Sequence, residues 1–128
     1  MSGRPEYLDI YMAAAKIGAI AVPLSRRFTP PEIRFVINDA GISLLFTMPG
    51  FRGIDFVKNL EKIRRDVPCL RRIVLLDGEP ADRGTVAYSS FVRAPDAALR
   101  KAAKQVADDD IMFLMYTPGL AGVPRGSM

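Results

Sequence analysis

The residues best suited to chemistry stand at the end of the chain, as Tyr116-Thr117-Pro118-Gly119-Leu120-Ala121-Gly122-Val123-Pro124-Arg125-Gly126-Ser127. An apolar stretch over residues 111–117 leads straight into them and is expected to be a buried strand. Glycines after such a strand tolerate positive φ, so successive backbone N–H groups can converge on an anion. Arg125 adds a forked cationic donor at the far side. The chemistry this suggests is the cradling of a phosphate. No G-x-x-x-x-G-K-[ST] spacing is present, so the segment is not a Walker A loop. Two plainer readings stand beside this one. The segment also reads as a flexible tail, and residues 123–127 also resemble the core of a common protease-cleavage linker.

Composition narrows the alternatives. The 128 residues include no histidine, no tryptophan and a single cysteine, Cys69. That excludes a Ser-His-Asp triad, a Cys-His pair, an imidazole metal site, an internal disulfide and a cysteine zinc cluster. Chemistry must rest on hydroxyls, carboxylates, Lys/Arg or backbone amides. With 49 % apolar and 25 % charged residues the chain is apolar enough to form a packed core. The net charge of +4 is carried by scattered basic residues and three arginine doublets, at 26–27, 64–65 and 71–72. Such doublets read as solvated surface rather than a nucleic-acid stripe. No stretch approaches the ~20 apolar residues needed to span a membrane. Glu6, Asp9 and Lys16 interrupt any signal-peptide pattern. A cytoplasmic location is expected.

The elements that must position the candidate segment follow from local signals. Pro5 opens a helix over residues 5–17 with Leu8, Met12 and Ala15 on one face, and Gly18 stops it. Residues 19–24 are expected to be buried and extended. Thr29-Pro30-Pro31-Glu32 is a capping box, in which the Thr29 hydroxyl can accept from the Glu32 amide while the carboxylate reaches back. Ile33, Val36, Ile37 and Ala40 form its helix's apolar stripe, and Gly41 ends it. Residues 42–47 predict a buried strand, and Pro49, Gly50 and Gly53 a loop. Phe56, Val57, Leu60 and Ile63 predict a third helix closed by Pro68. Residues 72–76 predict a second buried strand and 78–84 a polar loop, while 85–106 is less distinct, with a helix following Pro95 and Asp96. Alternating helices and apolar strands argue for an α/β fold with a partial, doubly wound, mainly parallel sheet. Residues 1–128 hold no evident linker and read as one domain.

With these residues in view, the end of the chain resembles the nucleotide-phosphate loop of the AMP-forming acyl-CoA synthetases, the adenylating ligase superfamily. Their typical pattern is Tyr-Thr-Ser-Gly-Thr-Thr-Gly-x-Pro-Lys-Gly. Independently, RPEYLDIYMAAAKIGAIAVPLSRRFTPPEIRFVINDAG resembles the same family's N-terminal helix, Pro-Leu turn and following helix. Leu44 to Thr47 and the aspartates before Ile111 also stand where that family has them. The resemblance covers nearly the whole chain, least well over residues 78–106.

The resemblance implies a two-step reaction. A carboxylate, such as a fatty acid, attacks the α-phosphate of Mg2+-ATP to give an acyl-adenylate, and coenzyme A then displaces AMP. It implies nucleotide contacts at Thr117, Gly119, Gly122, Arg125 and Gly126, with Tyr116 and Pro124 also matching and Arg125 in the place of a lysine. Pro118, Leu120 and Ala121 depart from the pattern and remove three hydroxyl donors, so ATP should bind weakly. The family's adenine segment, magnesium-ligating glutamate, hinge and lid domain with its catalytic lysine would lie beyond Met128, and its opening strand and asparagine before Arg4. Residues 1–128 therefore read as an incomplete domain, the N-terminal portion of an AMP-binding domain, with no catalytic and no metal-ligating residue of its own. The isolated chain is expected to be inactive. A non-catalytic or homo-oligomerising module derived from such a synthetase is the alternative, because a sheet cut from a larger domain exposes apolar faces and open edges. A basic nucleic-acid binder ranks last.

Other residues carry plainer readings. Tyr116 lines an acyl or adenylate pocket or, in the reading preferred, packs at a strand end. Asp108 to Asp110 read as a turn rather than a metal site. Cys69 reads as a small half-buried residue, Arg27 as structural, and Lys58, Lys62 and Arg65 as a solvated helix face.

Overall fold

The computed structural model describes residues 4–80, 84–94, 96–117 and 124–127. Helix α1 (Pro5–Lys16) begins at its proline and closes through Gly18, whose φ of 69° lets the Ala19 N–H reach back to the Ala14 carbonyl at 2.9 Å. Its inward face differs from the expected one. Tyr7, Ile10, Tyr11 and Ala14 are half-buried, while Leu8 is 63 % and Met12 48 % exposed. The aromatic side chains decide the rotation: the Tyr11 ring meets Phe113 edge-on at 4.8 Å, a contact Leu8 and Met12 do not make. Residues 19–24 do not form a strand. Ala21 alone is buried there, joined to Phe113 by a single parallel bridge.

Helix α2 (Pro30–Asp39) starts at the capping box. Both halves of the box are present: the Thr29 side chain faces the Glu32 N–H, and the Glu32 carboxylate accepts from the Thr29 N–H and the Thr29 hydroxyl, each at 2.7 Å. Val36 and Ile37 on its apolar stripe are fully buried. Strand β1 (Leu44–Thr47) follows, but its first residue, Leu44, is exposed. The expected loop at 49–53 is a tight hairpin of β2 (Gly50–Phe51) and β3 (Ile54–Asp55), turning through Arg52 at φ 48° and Gly53. Asp55 then caps α3 (Phe56–Ile63) by accepting from the Lys58 N–H at 2.8 Å. Lys58, Lys62 and Arg65 are exposed as expected.

Strand β4 (Arg72–Leu75) lies between β1 and β5 (Thr85–Ala87), parallel to both. The β5 strand falls where the sequence is least distinct, and its pairing with β4 supplies the order its three residues cannot. Helices α4 (Tyr88–Phe91) and α5 (Ala97–Ala103) follow, the second capped by Asp96. The main core joins Ile37 of α2, Leu60 and Ile63 of α3, Val67, Leu70, and Ile73 of β4. Cys69 packs half-buried against it, its Sγ 3.5 Å from the Ile37 carbonyl oxygen. The fold is α/β with a parallel sheet and flanking helices, as the alternation predicts.

The stretch expected as a third strand of that sheet behaves differently. Only β6 (Met115–Thr117) is a strand, and it pairs antiparallel with β7 (Arg125–Ser127) in a separate ribbon.

Candidate phosphate-binding hairpin

The β6–β7 ribbon places the candidate residues in register. Thr117 faces Arg125 across it and Tyr116 faces Gly126. Alternation along a strand sets the two pairs on opposite faces. Tyr116 is buried, and Thr117 and Arg125 are exposed. Thus two of the five predicted contacts stand side by side on the rung that flanks residues 118–124, with Gly126 on the next rung. Gly119 and Gly122 lie outside the described residues, as do the departures at Pro118, Leu120 and Ala121. Residues 125–127 are a paired strand, which replaces the flexible-tail reading for that part of the segment. Among the described residues no carboxylate pairs with Arg125.

The ribbon is fixed to the body from its buried face. Tyr116 joins Phe28 and Val36 in a second core cluster, with Leu114 packed against it. Its hydroxyl donates to the Asp39 carboxylate at 2.6 Å, across 77 residues of chain. Burial first, and the neighbouring carboxylate second, push the Tyr116 phenol up to about 12. The strand-end reading of Tyr116 therefore holds. Sequence reasoning did not single out Asp39. A signal existed: it is the last residue of α2, where a negative charge opposes the helix dipole and the last turn has no basic residue.

Other candidates resolve plainly. Asp110 closes its own turn by accepting from the Ala107 N–H at 2.9 Å. Among the described residues there is no group of three or more acidic or thiol side chains placed to hold a metal ion. Arg27 is exposed, in a turn where its N–H donates to Ser25 Oγ at 3.2 Å. A crevice of about 750 Å³ lies elsewhere, between the β2–β3 hairpin and the end of β4, with Arg52, Asp55, Asp77 and Glu79 on its walls. Of these, Asp77 is paired with Arg4 and Asp55 caps α3. Among the described residues no helix is long and apolar enough to cross a membrane.

Comparisons with known proteins agree with this architecture. The family model described as AMP-binding enzyme matches residues 1–128. The 3-hydroxybenzoate–CoA/4-hydroxybenzoate–CoA ligase of Thauera aromatica is 27 % identical over 128 residues, covering 100 % of this chain and 23 % of the relative. A long-chain-fatty-acid–CoA ligase of Mycobacterium tuberculosis is 31 % identical over 127 residues, covering 98 % of this chain and 22 % of the relative. Among solved structures, the acetoacetyl-CoA synthetase from Streptomyces lividans superposes with a TM-score of 0.74 at 20 % identity, over 96 % of this chain and 20 % of that one. The anthranilate CoA ligase AuaEII, in complex with anthranoyl-AMP, gives 0.70 at 23 % identity, over 94 % of this chain and 22 % of its own. The chain thus spans less than a quarter of the length of these relatives. With a family model matched from the first residue to the last, and a parallel α/β fold shared with solved CoA ligases, the chain belongs to the AMP-binding enzyme family.

Proposed function

We propose that residues 1–128 supply the phosphate-loop part of an AMP-forming acyl-CoA ligase domain. In the whole ligase a carboxylate oxygen attacks the α-phosphorus of ATP. The bond to the bridging oxygen breaks, pyrophosphate leaves, and an acyl-adenylate remains. The thiol of coenzyme A then forms the thioester, with AMP leaving and the thiol proton passing to solvent. Magnesium, when bound, would neutralise phosphate charge. Thr117 and Arg125, with Gly119, Gly122 and Gly126 of the same segment, meet the β- and γ-phosphates and stabilise charge growing on the leaving pyrophosphate. The observation that carries this reading is the placement of Thr117 opposite Arg125 on the rung that flanks the glycine segment. The named relatives act on hydroxybenzoates and long-chain fatty acids, so the acid here is an aromatic or aliphatic carboxylate. A cytoplasmic setting suits a reaction that consumes ATP and coenzyme A.

The isolated chain should not form an adenylate. ATP–pyrophosphate exchange with a panel of acids should stay at the no-protein background, and turnover above it would overturn this part of the reading. Restoring hydroxyls with P118S, L120T and A121T should tighten ATP binding, since each hydrogen bond to a charged group is worth roughly 1.5–3 kcal/mol. If affinity does not improve, these positions are not phosphate contacts. A second reading, an association module, is favoured by the exposure of Leu8, Met12 and Met115, at 63 %, 48 % and 57 %. It predicts a dimer or larger species in sedimentation, and a reversible monomer would remove it.

A further inference from the structure

The base of the hairpin contains an arrangement that the phosphate reading does not use. Tyr116 stands on the rung next to the Thr117–Arg125 pair and faces Gly126. A Cβ built on Gly126 would come within 3.1 Å of Tyr116 Cζ and 3.3 Å of both Tyr116 Cε1 and Leu114 Cδ1. The tyrosine ring therefore occupies the space above this glycine, and a side chain there would require the ring to give way by a few tenths of an ångström. On its far side the hydroxyl is held at 2.6 Å by Asp39. Asp39 ends a helix whose other cap, at Thr29 and Glu32, is closed locally. Its carboxylate gains nothing from the dipole at that end. Its hydrogen-bond partner is the tyrosine of another element.

We infer that Asp39, acting through the Tyr116 hydroxyl and the space over Gly126, is a positioning residue that holds Thr117 and Arg125 in register to receive phosphate. The inference rests on the phosphate reading of the hairpin and adds to it a residue that touches no ligand. The physical logic is that of one clamp. A three-residue ribbon has too few pairs to hold its own register. The ring fixes its distance from the body, and the Asp39 bond fixes the ring's rotation.

The experiment uses the full chain carrying P118S, L120T and A121T, with Mg2+-ATP as the probe and calorimetry as the readout. To this are added Y116F, D39N, D39A, or Y116F with D39N, each studied at a temperature where it is fully folded by circular dichroism. Y116F and D39A should each weaken ATP binding roughly tenfold, the effect of one hydrogen bond to a charged group. D39N retains an acceptor oxygen and should lose less. The double variant should be no weaker than Y116F, because both act through one bond. Amide exchange over 115–117 and 125–127 should quicken in Y116F, with the amides of β4 unchanged. If the hydroxyl-restored chain binds no ATP, the phosphate reading itself fails. If it binds ATP, and Y116F and D39A bind equally well, that reading stands and the positioning role is overturned. A loss in D39A that D39N shares in full, with Y116F unaffected, would also overturn it, since the charge alone would then be acting. Should Y116F fail to fold, D39N and D39A carry the same comparison.

Discussion

Two regions of this molecule are built in contrasting ways. The parallel sheet β1–β4–β5, with α2 and α3, encloses six buried apolar residues contributed by α2, α3, β4 and the segment between the last two. The β6–β7 ribbon enters a smaller buried cluster of Phe28, Val36 and Tyr116, with half-buried residues such as Val22, Leu24 and Leu114 packed against it, and adds one hydrogen bond to Asp39. The first region is stabilised by area and packing density. The second is placed by the packing of one aromatic ring and by one directional contact made from 77 residues away. Burial is tolerant of detail and strong, whereas a hydrogen bond is weaker and demands its geometry. The region with the candidate chemistry has fewer fully buried residues, as expected where backbone must be presented to a ligand instead of being packed away.

That contrast can be broken most forcefully at Ile37, which has no exposed surface. I37A should cost about 2–5 kcal/mol in urea unfolding through lost burial and a residual cavity. A cost below about 1 kcal/mol would mean that the main core is loosely packed. Next in size, Y116F should destabilise by about 0.5–1.5 kcal/mol near neutral pH, because it removes the bond to Asp39, whose exposed carboxylate regains water in exchange. Its pH dependence sharpens the point. The Tyr116 phenol is raised to about 12 in the folded chain against about 10 unfolded. Its contribution is therefore complete below about pH 10 and is lost as pH climbs through about 12. The gap between the parent chain and Y116F should narrow over that interval. A gap constant with pH would place the effect of Y116F in packing rather than in the hydroxyl.

A smaller loss is expected at the α2 cap. The Thr29 backbone and hydroxyl hold the Glu32 carboxylate below its ordinary value of 4.5. A lowered carboxylate contributes stability above its unfolded value and loses it as pH falls through the lower folded one. E32Q should thus match the parent in acid and fall slightly behind it near neutrality, by less than Y116F does. The smallest effect belongs to α1: L8Q should change stability by no more than about 0.5 kcal/mol, since Leu8 is already 63 % exposed. If L8Q lowers self-association without altering stability, the association reading gains a surface. If it unfolds the chain, α1 is packed more closely than its exposure implies.

Much of the main core was legible because its signals are short-range. The α2 start and stop depend on Thr29, Glu32 and Gly41, all within four residues of the helix ends. The stripe through Val36 and Ile37 follows from helical period alone. The apolar runs of β1 and β4 announce strands buried between layers, although Leu44 at the sheet edge remains exposed. Of the candidate site, the residue types at Thr117 and Arg125 were readable, but their pairing across a ribbon and the part of Asp39 were not. No spacing rule connects an aspartate at a helix end with a tyrosine 77 residues away.

By itself, then, the sequence determined the α/β alternation, the helix caps, the apolar stripes and the absence of imidazole and paired-thiol chemistry. Each of these depends on residue type or on neighbours within a turn or two. The tertiary structure decided which face of α1 turns inward, because that rotation is set by the meeting of Tyr11 with Phe113. It decided that β5 is a strand, because three residues are stable there only when paired with β4. It also decided that β6 leaves the parallel sheet to pair with β7, where the Tyr116 ring lies over a residue without a side chain and its hydroxyl finds Asp39. These are choices among partners far apart in the chain, and only the simultaneous packing of all of them selects one.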